Sequence, residues 1–492
     1  MHTTLLSEHS PTEELQAAPE TPKRGSAVNG LAEQEWAPAL FFFLCDVVCW
    51  LGLYGLLGYL RHDALFSSGF EFAVIDLIQL AVVVQALFII GGYSSRVEMR
   101  ALTYTAEHII AMLAALAVSA LILYAAATFD HSMKPSRSVV LASFIAFTPI
   151  SLLYRRAMGR KVAEVSANRA FLVIGAGEIA SRFFLTYRSS ANRQRLEFVD
   201  LDQARVGQHI AGPGTPLIEG DLASKLSHAA KRYSGIILAE NMERISPELL
   251  DRLIRAQFQR TRVYTLESFY EAHWRHVPMD SIDPFWPLQA GFQLSRTSPY
   301  HYLKRLFDVI ASVIGLVVLF PFMLIISLLL LVTGGRPVIF RQPRVGRDDT
   351  VFTLYKFRTM KSEAAEAEAD IYTRANDPRI SRLGRWLRKF RLDELPQLWN
   401  VLRGELSLIG PRAEWVECAE RYTKKIPFYH FRHLVKPGIT GWAQVNYPYG
   451  ESDEDAVEKL KYDLYYIRHY SLMLDAMIVL KTVYTMLFGK GR

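Results

Sequence analysis

Cysteine is nearly absent from this chain. Only Cys45, Cys49 and Cys418 occur in 492 residues, and two of them lie in an apolar run. That excludes a disulfide framework and a cysteine-based metal site. The histidines form no metal-like set, and His430 and His433 read as surface or packing residues. No basic region followed by an apolar core and a cleavage site opens the chain, so no cleaved signal peptide is expected. Charge is missing altogether from Val309 to Thr333, a run long enough to enter a bilayer.

What is present is apolar and basic. Half of the residues are hydrophobic, the formal charge is +7, and the mean hydropathy is slightly positive at +0.11. With such apolar runs, the basic balance points to anionic lipid at a membrane surface rather than to nucleic acid. The length leaves room for two or more domains.

Residues 1–36 are polar and proline-bearing and read as a disordered cytoplasmic tail. Four apolar runs follow, at about 38–60, 72–93, 107–129 and 138–154. Each is near the length of a bilayer span, and together they define a four-helix transmembrane region over 37–160. The fourth run is short and contains Pro149. Arg96, Arg100, Arg155, Arg156, Arg160 and Lys161 make the flanking connections basic, which places them and both ends on the cytoplasmic side. Asp46 lies within the first run, where a carboxylate is expensive, and packing against a neighbouring helix is its expected role.

RAFLVIGAGEIA at 169–180 reads as a buried strand, a glycine turn and a helix start. Gly175, Gly177 and Ala180 fit the G-x-G-x-x-G/A spacing, and Asp200 follows a second strand. Further strands are expected at 235–239 and 262–266. A Rossmann-like α/β domain is thus expected over 168–275. Gly175, Gly177 and Asp200 could meet a nucleotide there, although such turns also occur with none bound. Residues 276–299 read as a linker.

The uncharged run after Lys304 and Arg305 is followed by Arg336, Arg341, Arg344 and Arg347. Both flanks are basic and both prefer the cytoplasm. Pro321 falls inside the run, so a re-entrant helix-break-helix over 306–332 is expected, with a fifth span as the alternative. Beyond it, VIF and VFTLYKF read as short strands around an RQPRVG turn, 361–370 as a solvated helical face, and 380–390 and 394–402 as amphipathic helices. The apolar 471–488, interrupted by Asp475 and Lys481, reads as an interfacial or packing helix.

Residues 388–412 set Asp393 and Glu394 among Arg388, Lys389, Arg391, Arg403 and Arg412. Carboxylates ringed by cations stay ionised, and the same cations can hold phosphates. Asp393 is placed as an N-cap and Glu394 in the first turn of a helix with Pro396.

The segments KRLFD, RQPRVGR, YKFRTM, RLDELPQLWNVLRGELSLIGPR, VKPGITGWAQVN and YDLYYIRHYSLMLD occur in this order over most of 300–492. Together they resemble the bacterial polyprenyl-phosphate hexose-1-phosphate transferases, the large monotopic phosphoglycosyl transferases of exopolysaccharide and O-antigen synthesis. The resemblance implies four transmembrane helices, a Rossmann-like, CoA-binding-like domain and a C-terminal catalytic domain over 300–492, facing the cytoplasm from the bacterial inner membrane. It implies Asp393 as the nucleophile on a UDP-sugar and Glu394 as a Mg²⁺ ligand, with undecaprenyl phosphate as acceptor and a homodimer. By the same resemblance Arg358, Arg388, Arg391 and Arg412 hold phosphates. Lys304, Arg305 and Asp308 lie where the prenyl-phosphate headgroup arrives, or anchor the interface. Gly438, Thr440 and Gln444 line the nucleotide side, with a structural turn equally able to explain Gly438. UDP-glucose or UDP-galactose is the expected donor. A cytoplasmic donor favours re-entry over a fifth span.

Two alternatives stay open. Tyr300 and Lys304 match the Tyr-x-x-x-Lys spacing of an NAD-dependent membrane nucleotide-sugar dehydratase. A non-enzymatic scaffold for polysaccharide assembly is the other, and the intact Asp393-Glu394 pair speaks against it.

Overall fold

The structure is a computed structural model. It describes residues 36–488, apart from 63–69, 95–96, 130–136, 168, 191–193, 228, 260, 283–285, 289–290, 361–378, 448–449 and 451. All but residue 36 of the tail expected over 1–36, and the expected helical face at 361–370, lie outside the described residues.

The apolar runs form helices α1 (Ala37–His62), α2 (Phe70–Ile89), α3 (Leu102–Phe129) and α4 (Arg137–Ala167). Ala37–Arg61, Leu102–Thr128 and Arg137–Gly159 are long and apolar enough to cross a membrane; Asp76–Ile89 is a shorter apolar helix. The fourth run is longer than its sequence implies. Pro149 sits inside α4, which continues through the basic stretch that the pattern places outside the membrane. A proline removes one bond of the helical ladder, and the neighbouring bonds carry the helix across it.

Trp50 of α1 is buried edge-on against Phe144 and Phe147 of α4, with ring centroids 4.9 and 5.5 Å away. Beside it, Arg155 Nη2 donates to Asp46 Oδ2 at 2.6 Å and Arg155 Nη1 to Asp46 Oδ1 at 2.8 Å. Both side chains are fully buried. Arg155 is therefore packed within the bundle, because the buried Asp46 charge needs an opposite charge beside it.

Strands β1 (Ala170–Ile174), β2 (Arg195–Val199), β3 (Ile218–Glu219), β4 (Tyr233–Leu238) and β5 (Val263–Thr265) form a parallel sheet in the order β3-β2-β1-β4-β5. β1 is buried along its whole length, as a central parallel strand must be. The expected linker is packed, not extended. Val277, Trp286 and Phe292 are buried in the core of the C-terminal block with Tyr422, Leu464 and Ile478. Their apolar area outweighs the loop-like look of the neighbouring prolines.

Helix α5 (Tyr300–Gly334) is continuous through Pro321 and is also long and apolar enough to cross a membrane. The helix break expected at the proline is thus not a break in the helix. Its two ends are fastened to the same block. Near the start, Lys304 Nζ donates to Asp475 Oδ2 at 2.5 Å, and Arg305 donates to the carbonyls of Val401 and Leu402 at 2.6 and 2.8 Å. At the end, Arg358 donates to the carbonyls of Gly334, Gly335 and Arg336.

The block itself opens with an antiparallel hairpin, β6 (Ile339–Val345) and β7 (Val351–Phe357). β6 runs through the segment expected as a turn. Pro343 is tolerated there because an edge position does not require its N–H. Helices α6 (Arg382–Lys389) and α7 (Gln397–Arg403) expose Trp386 and Trp399. The short parallel pair β8 (Ser407–Ile409) and β9 (Gly438–Thr440) crosses behind α7. Helix α8 (Leu472–Leu487) packs on both sides: Met477 and Ile478 join the block's core, while Leu480 joins the core of the bundle. Lys481 Nζ also lies 3.4 Å from Glu107 Oε1 on α3.

Replacing Asp46 by leucine strands the buried Arg155 guanidinium and is expected to destabilise the protein by about 3–5 kcal/mol. Thermal unfolding in detergent reads the loss. The double variant Asp46→Leu, Arg155→Leu is expected to recover most of it.

Candidate active site

The dyad does not begin a helix as its sequence implies. Arg391 adopts a left-handed conformation (φ 55°), and Leu392–Glu394 form a single 3₁₀ turn. Pro396 then caps α7. Asp393 is consequently a turn residue with a buried side chain, not an N-cap. The left-handed step aims Asp393 and Glu394 inward together.

Three chain segments bring cations to Glu394. Lys356 Nζ, from β7, donates to Glu394 Oε1 at 2.9 Å. Arg412 Nη1, just after β8, is 3.6 Å from the same oxygen, and Arg391 Nη1 is 3.7 Å from Oε2. Arg388, on α6, faces Asp393 electrostatically and donates from Nε to Thr359 Oγ1 at 2.8 Å. Lys356 carries no role in the sequence reading, yet its position signals one. It shares the strand face of buried Phe352 and Leu354, and a lysine on an inward face requires a buried partner.

The two carboxyls are driven apart. The cations, Lys356 foremost and then Arg412 and Arg391, overcome the burial of Glu394 and hold it down at about 2. Burial and the adjacent Glu394 charge raise Asp393 above the usual aspartate range, against Lys356 and Arg388. Burial lowers Lys356 despite the attraction of Glu394. Both carboxyls were expected simply to stay ionised; the structure instead makes Glu394 an anchored anion and Asp393 a more basic one. No side chain among the described residues donates a hydrogen bond to the Asp393 carboxylate.

Glu394 Oε2 is buried and accepts no hydrogen bond among the described residues. This open acceptor beside Asp393 fits a hard cation. No group of three or more His, Cys, Asp or Glu that could hold a metal occurs among the described residues. Such a cation would therefore share its ligands with phosphate and water, the usual manner of Mg²⁺.

A second layer fixes Arg412. Arg432 Nη2 donates to its carbonyl at 3.1 Å, and Arg432 Nε donates to Asp463 Oδ2 at 2.9 Å. Burial raises Asp463 to about 6, while Arg432 holds nearby Glu414 below the ordinary range. The Gly410 turn that carries Arg412 packs on Gly438 of β9 and on Gly441 just beyond it. A Cβ on Gly438 would lie 2.1 Å from Gly410 N, and one on Gly441 2.1 Å from Gly410 O. Gly438 is therefore a close-approach glycine.

The other sequence candidates have structural partners. Arg358 caps α5, as described above. Lys304 shares buried Asp475 with the hydroxyls of Tyr300 (2.5 Å) and Tyr466 (2.8 Å). Asp308 Oδ1 accepts the Leu408 amide at 3.1 Å. Thr440 Oγ1 meets Thr482 Oγ1 at 2.8 Å, and Gln444 Nε2 donates to the Ile439 carbonyl at 3.1 Å. In the α/β sheet, Gly175 has φ 102°, and a Cβ there would lie 2.7 Å from the Ala239 carbonyl oxygen. Asp200 accepts the amides of Ala176 (3.1 Å) and Asp202 (2.9 Å) and lies 3.6 Å from Arg205.

This geometry, a cation-ringed acidic pair beside an apolar helix, defines a membrane-associated enzyme suited to phosphate chemistry. Residues 299–489 match the family model described as bacterial sugar transferase. A Rhizobium leguminosarum exopolysaccharide production protein is 40% identical over 195 residues, 38% of this chain and 98% of its own length. The chain belongs to the bacterial sugar transferase family. It is also 37% identical over 275 residues to a UDP-N-acetylgalactosamine-undecaprenyl-phosphate N-acetylgalactosaminephosphotransferase of Aeromonas hydrophila, covering 56% of this chain and 64% of that one. A UDP-glucose:undecaprenyl-phosphate glucose-1-phosphate transferase of Klebsiella pneumoniae is 42% identical over 190 residues, 38% of this chain and 41% of its own. The chain spans less than two thirds of these last two relatives.

Lys356→Met leaves the buried Glu394 short of its nearest cation. It is expected to destabilise the protein by about 3 kcal/mol in thermal unfolding, and adding Glu394→Gln is expected to restore most of that.

Proposed function

We propose that the protein transfers a hexose 1-phosphate, glucose or galactose, from a UDP-sugar to undecaprenyl phosphate, opening an exopolysaccharide repeat. The observation that carries this reading is the split dyad: Asp393 raised and, among the described residues, without a side-chain hydrogen-bond donor, Glu394 anchored, and Lys356, Arg388, Arg391 and Arg412 around them. The names of the Aeromonas and Klebsiella relatives support the reaction class.

An oxygen of the Asp393 carboxylate attacks the β-phosphorus. The bond from that phosphorus to the bridging oxygen breaks, and UMP leaves with the electron pair. A sugar-phosphoryl aspartate remains. An oxygen of the prenyl phosphate then attacks the same phosphorus and expels the Asp393 carboxylate, giving the prenyl-diphosphate sugar. The covalent step divides one difficult displacement into two. Arg388, Arg391 and Arg412 hold phosphate oxygens in place. Glu394 would hold Mg²⁺, which when bound supplies positive charge to the phosphates.

The reading includes an inner-membrane protein with its catalytic block on the cytoplasmic side and α5 re-entering the leaflet it leaves. The attachment of both α5 ends to one block supports this topology. A Rossmann-like role for the parallel sheet and a homodimer belong to the same proposal through the family resemblance. The dehydratase alternative is disfavoured by the placement of Tyr300 and Lys304, which both bond Asp475 in the C-terminal block.

Purified protein given Mg²⁺, undecaprenyl phosphate and a panel of UDP-sugars is expected to release UMP with one sugar. Asp393→Asn is expected to lower that rate about a thousandfold or more. Release that survives in this variant would overturn the nucleophile assignment.

The pH profile offers a further check. Asp393 attacks only when ionised, and Lys356 lowers its pKa. Activity therefore falls as pH drops through the raised Asp393 value, and the acid limb of kcat/KM in Lys356→Met is expected about one unit higher than in the wild type.

A further inference from the structure

A second cationic site lies at the far end of α7 from the dyad. A cleft of about 430 Å³ is lined by Arg347, Val351, Arg403 and Lys436 among others. It adjoins a smaller recess lined by Arg305 and Asp308, and Arg347 and Lys436 belong to both. Roughly 10 Å of helix separates this end of α7 from the Asp393 end, so one phosphate cannot occupy both places.

The cations there are unequally compensated. Arg403 is 3.3 Å from Glu405, and Lys304 is taken by Asp475. Arg305 is spent on the α7 carbonyls, and Asp308 on an amide. Arg347 Nε lies 3.3 Å from Asp348 but hydrogen-bonds no acceptor among the described residues, while its Nη1 lies 3.4 Å from His301 Nε2. Lys436 makes no hydrogen bond or ion pair with any described residue. Arg305, Arg347 and Asp308 are its electrostatic neighbours, and the first two repel it. Asp308 attracts Lys436 but already accepts the Leu408 amide, so an ammonium half-buried beside two guanidiniums favours a further anion.

The surroundings say which anion. The turns of α5 that bring Arg305 and Asp308 to the recess expose Leu303, Leu306 and Phe307 on their other side, and Val351 at the cleft is itself 60% exposed. A phosphate seated at Lys436 would have exposed Val351 at the cleft and, around α5, the apolar face of Leu303, Leu306 and Phe307 within reach of acyl chains. We propose that Lys436, Arg347 and Arg403 form a binding site for the phosphodiester headgroup of an anionic phospholipid, separate from the reacting phosphates. The site is independent of the catalytic reading.

Full-chain protein in detergent is titrated with dioleoyl phosphatidylglycerol or dioleoyl phosphatidylcholine, and bound lipid is counted by native mass spectrometry. Phosphatidylglycerol is expected to bind in preference. Lys436→Gln and Arg403→Gln are each expected to weaken it roughly fivefold, the worth of one basic residue at an anionic surface. Lys436→Arg is expected to bind as the wild type does, and Arg255→Gln, on the distant α/β domain, serves as the surface-charge control. Absence of preference, or wild-type binding by both glutamine variants, would overturn the site. Equal displacement by inorganic phosphate would overturn the lipid source in favour of free phosphate. Displacement by equimolar undecaprenyl phosphate would assign the cleft to the acceptor and equally overturn the proposal.

Discussion

A carboxylate cannot be buried as an anion unless cations are built around it, and Glu394 imposes that demand on the whole C-terminal block. Lys356 answers it from the hairpin, Arg391 from a left-handed turn and Arg412 from beyond β8. One charge thus registers three segments that are distant in sequence. The Arg412 arm needs a close backbone crossing, which explains why Gly410, Gly438 and Gly441 meet with no room for a Cβ. Asp393 inherits a position fixed by its neighbour's partners. Burial raises it, and its neighbour's charge raises it further.

The membrane-facing parts extend from the same block. Helix α5 is clamped at its start by Asp475 and at its end by Arg358, while most of its intervening apolar side chains are exposed. Trp386 and Trp399 are exposed on helices that flank the dyad turn. Indole rings favour an interface where one edge is apolar and the other wet. The site is therefore held next to an exposed apolar surface. Helix α8 then ties the block to the bundle, since its Met477 and Leu480 belong to two different cores.

Much of this was legible in the sequence because it is periodic or dense. The apolar runs, the buried strands and the acidic pair among arginines each carry a local signal. What was not legible depends on partners far along the chain. Arg155 looks like a flanking cation until Asp46, 109 residues away, is placed beside it. Lys304 and Arg305 look like interface anchors, and their partners Asp475, Val401 and Leu402 lie far downstream. Trp286 sits in a proline-bearing stretch that composition reads as a linker, yet it is fully buried. The proline signals misled in a consistent direction. Pro321 suggested a helix break and Pro343 a turn, and Pro149 lay in the run that looked shortest, yet each lies inside a regular element.

Asp200 and Asp393 show why residue type alone does not identify chemistry. Each is a buried aspartate close to a basic side chain. Asp200 accepts two backbone amides and faces Arg205, so its lone pairs are engaged in holding the glycine turn against β2. A carboxylate so engaged has few lone pairs left for a ligand. Asp393 has cations near enough to orient phosphate but no side-chain donor on its oxygens among the described residues, and burial makes it more basic. The glycine motif and the acidic dyad are both recognisable sequence patterns. The difference lies in the surroundings that only the fold creates: two backbone amides and Arg205 engage Asp200, whereas burial and the Glu394 charge raise Asp393.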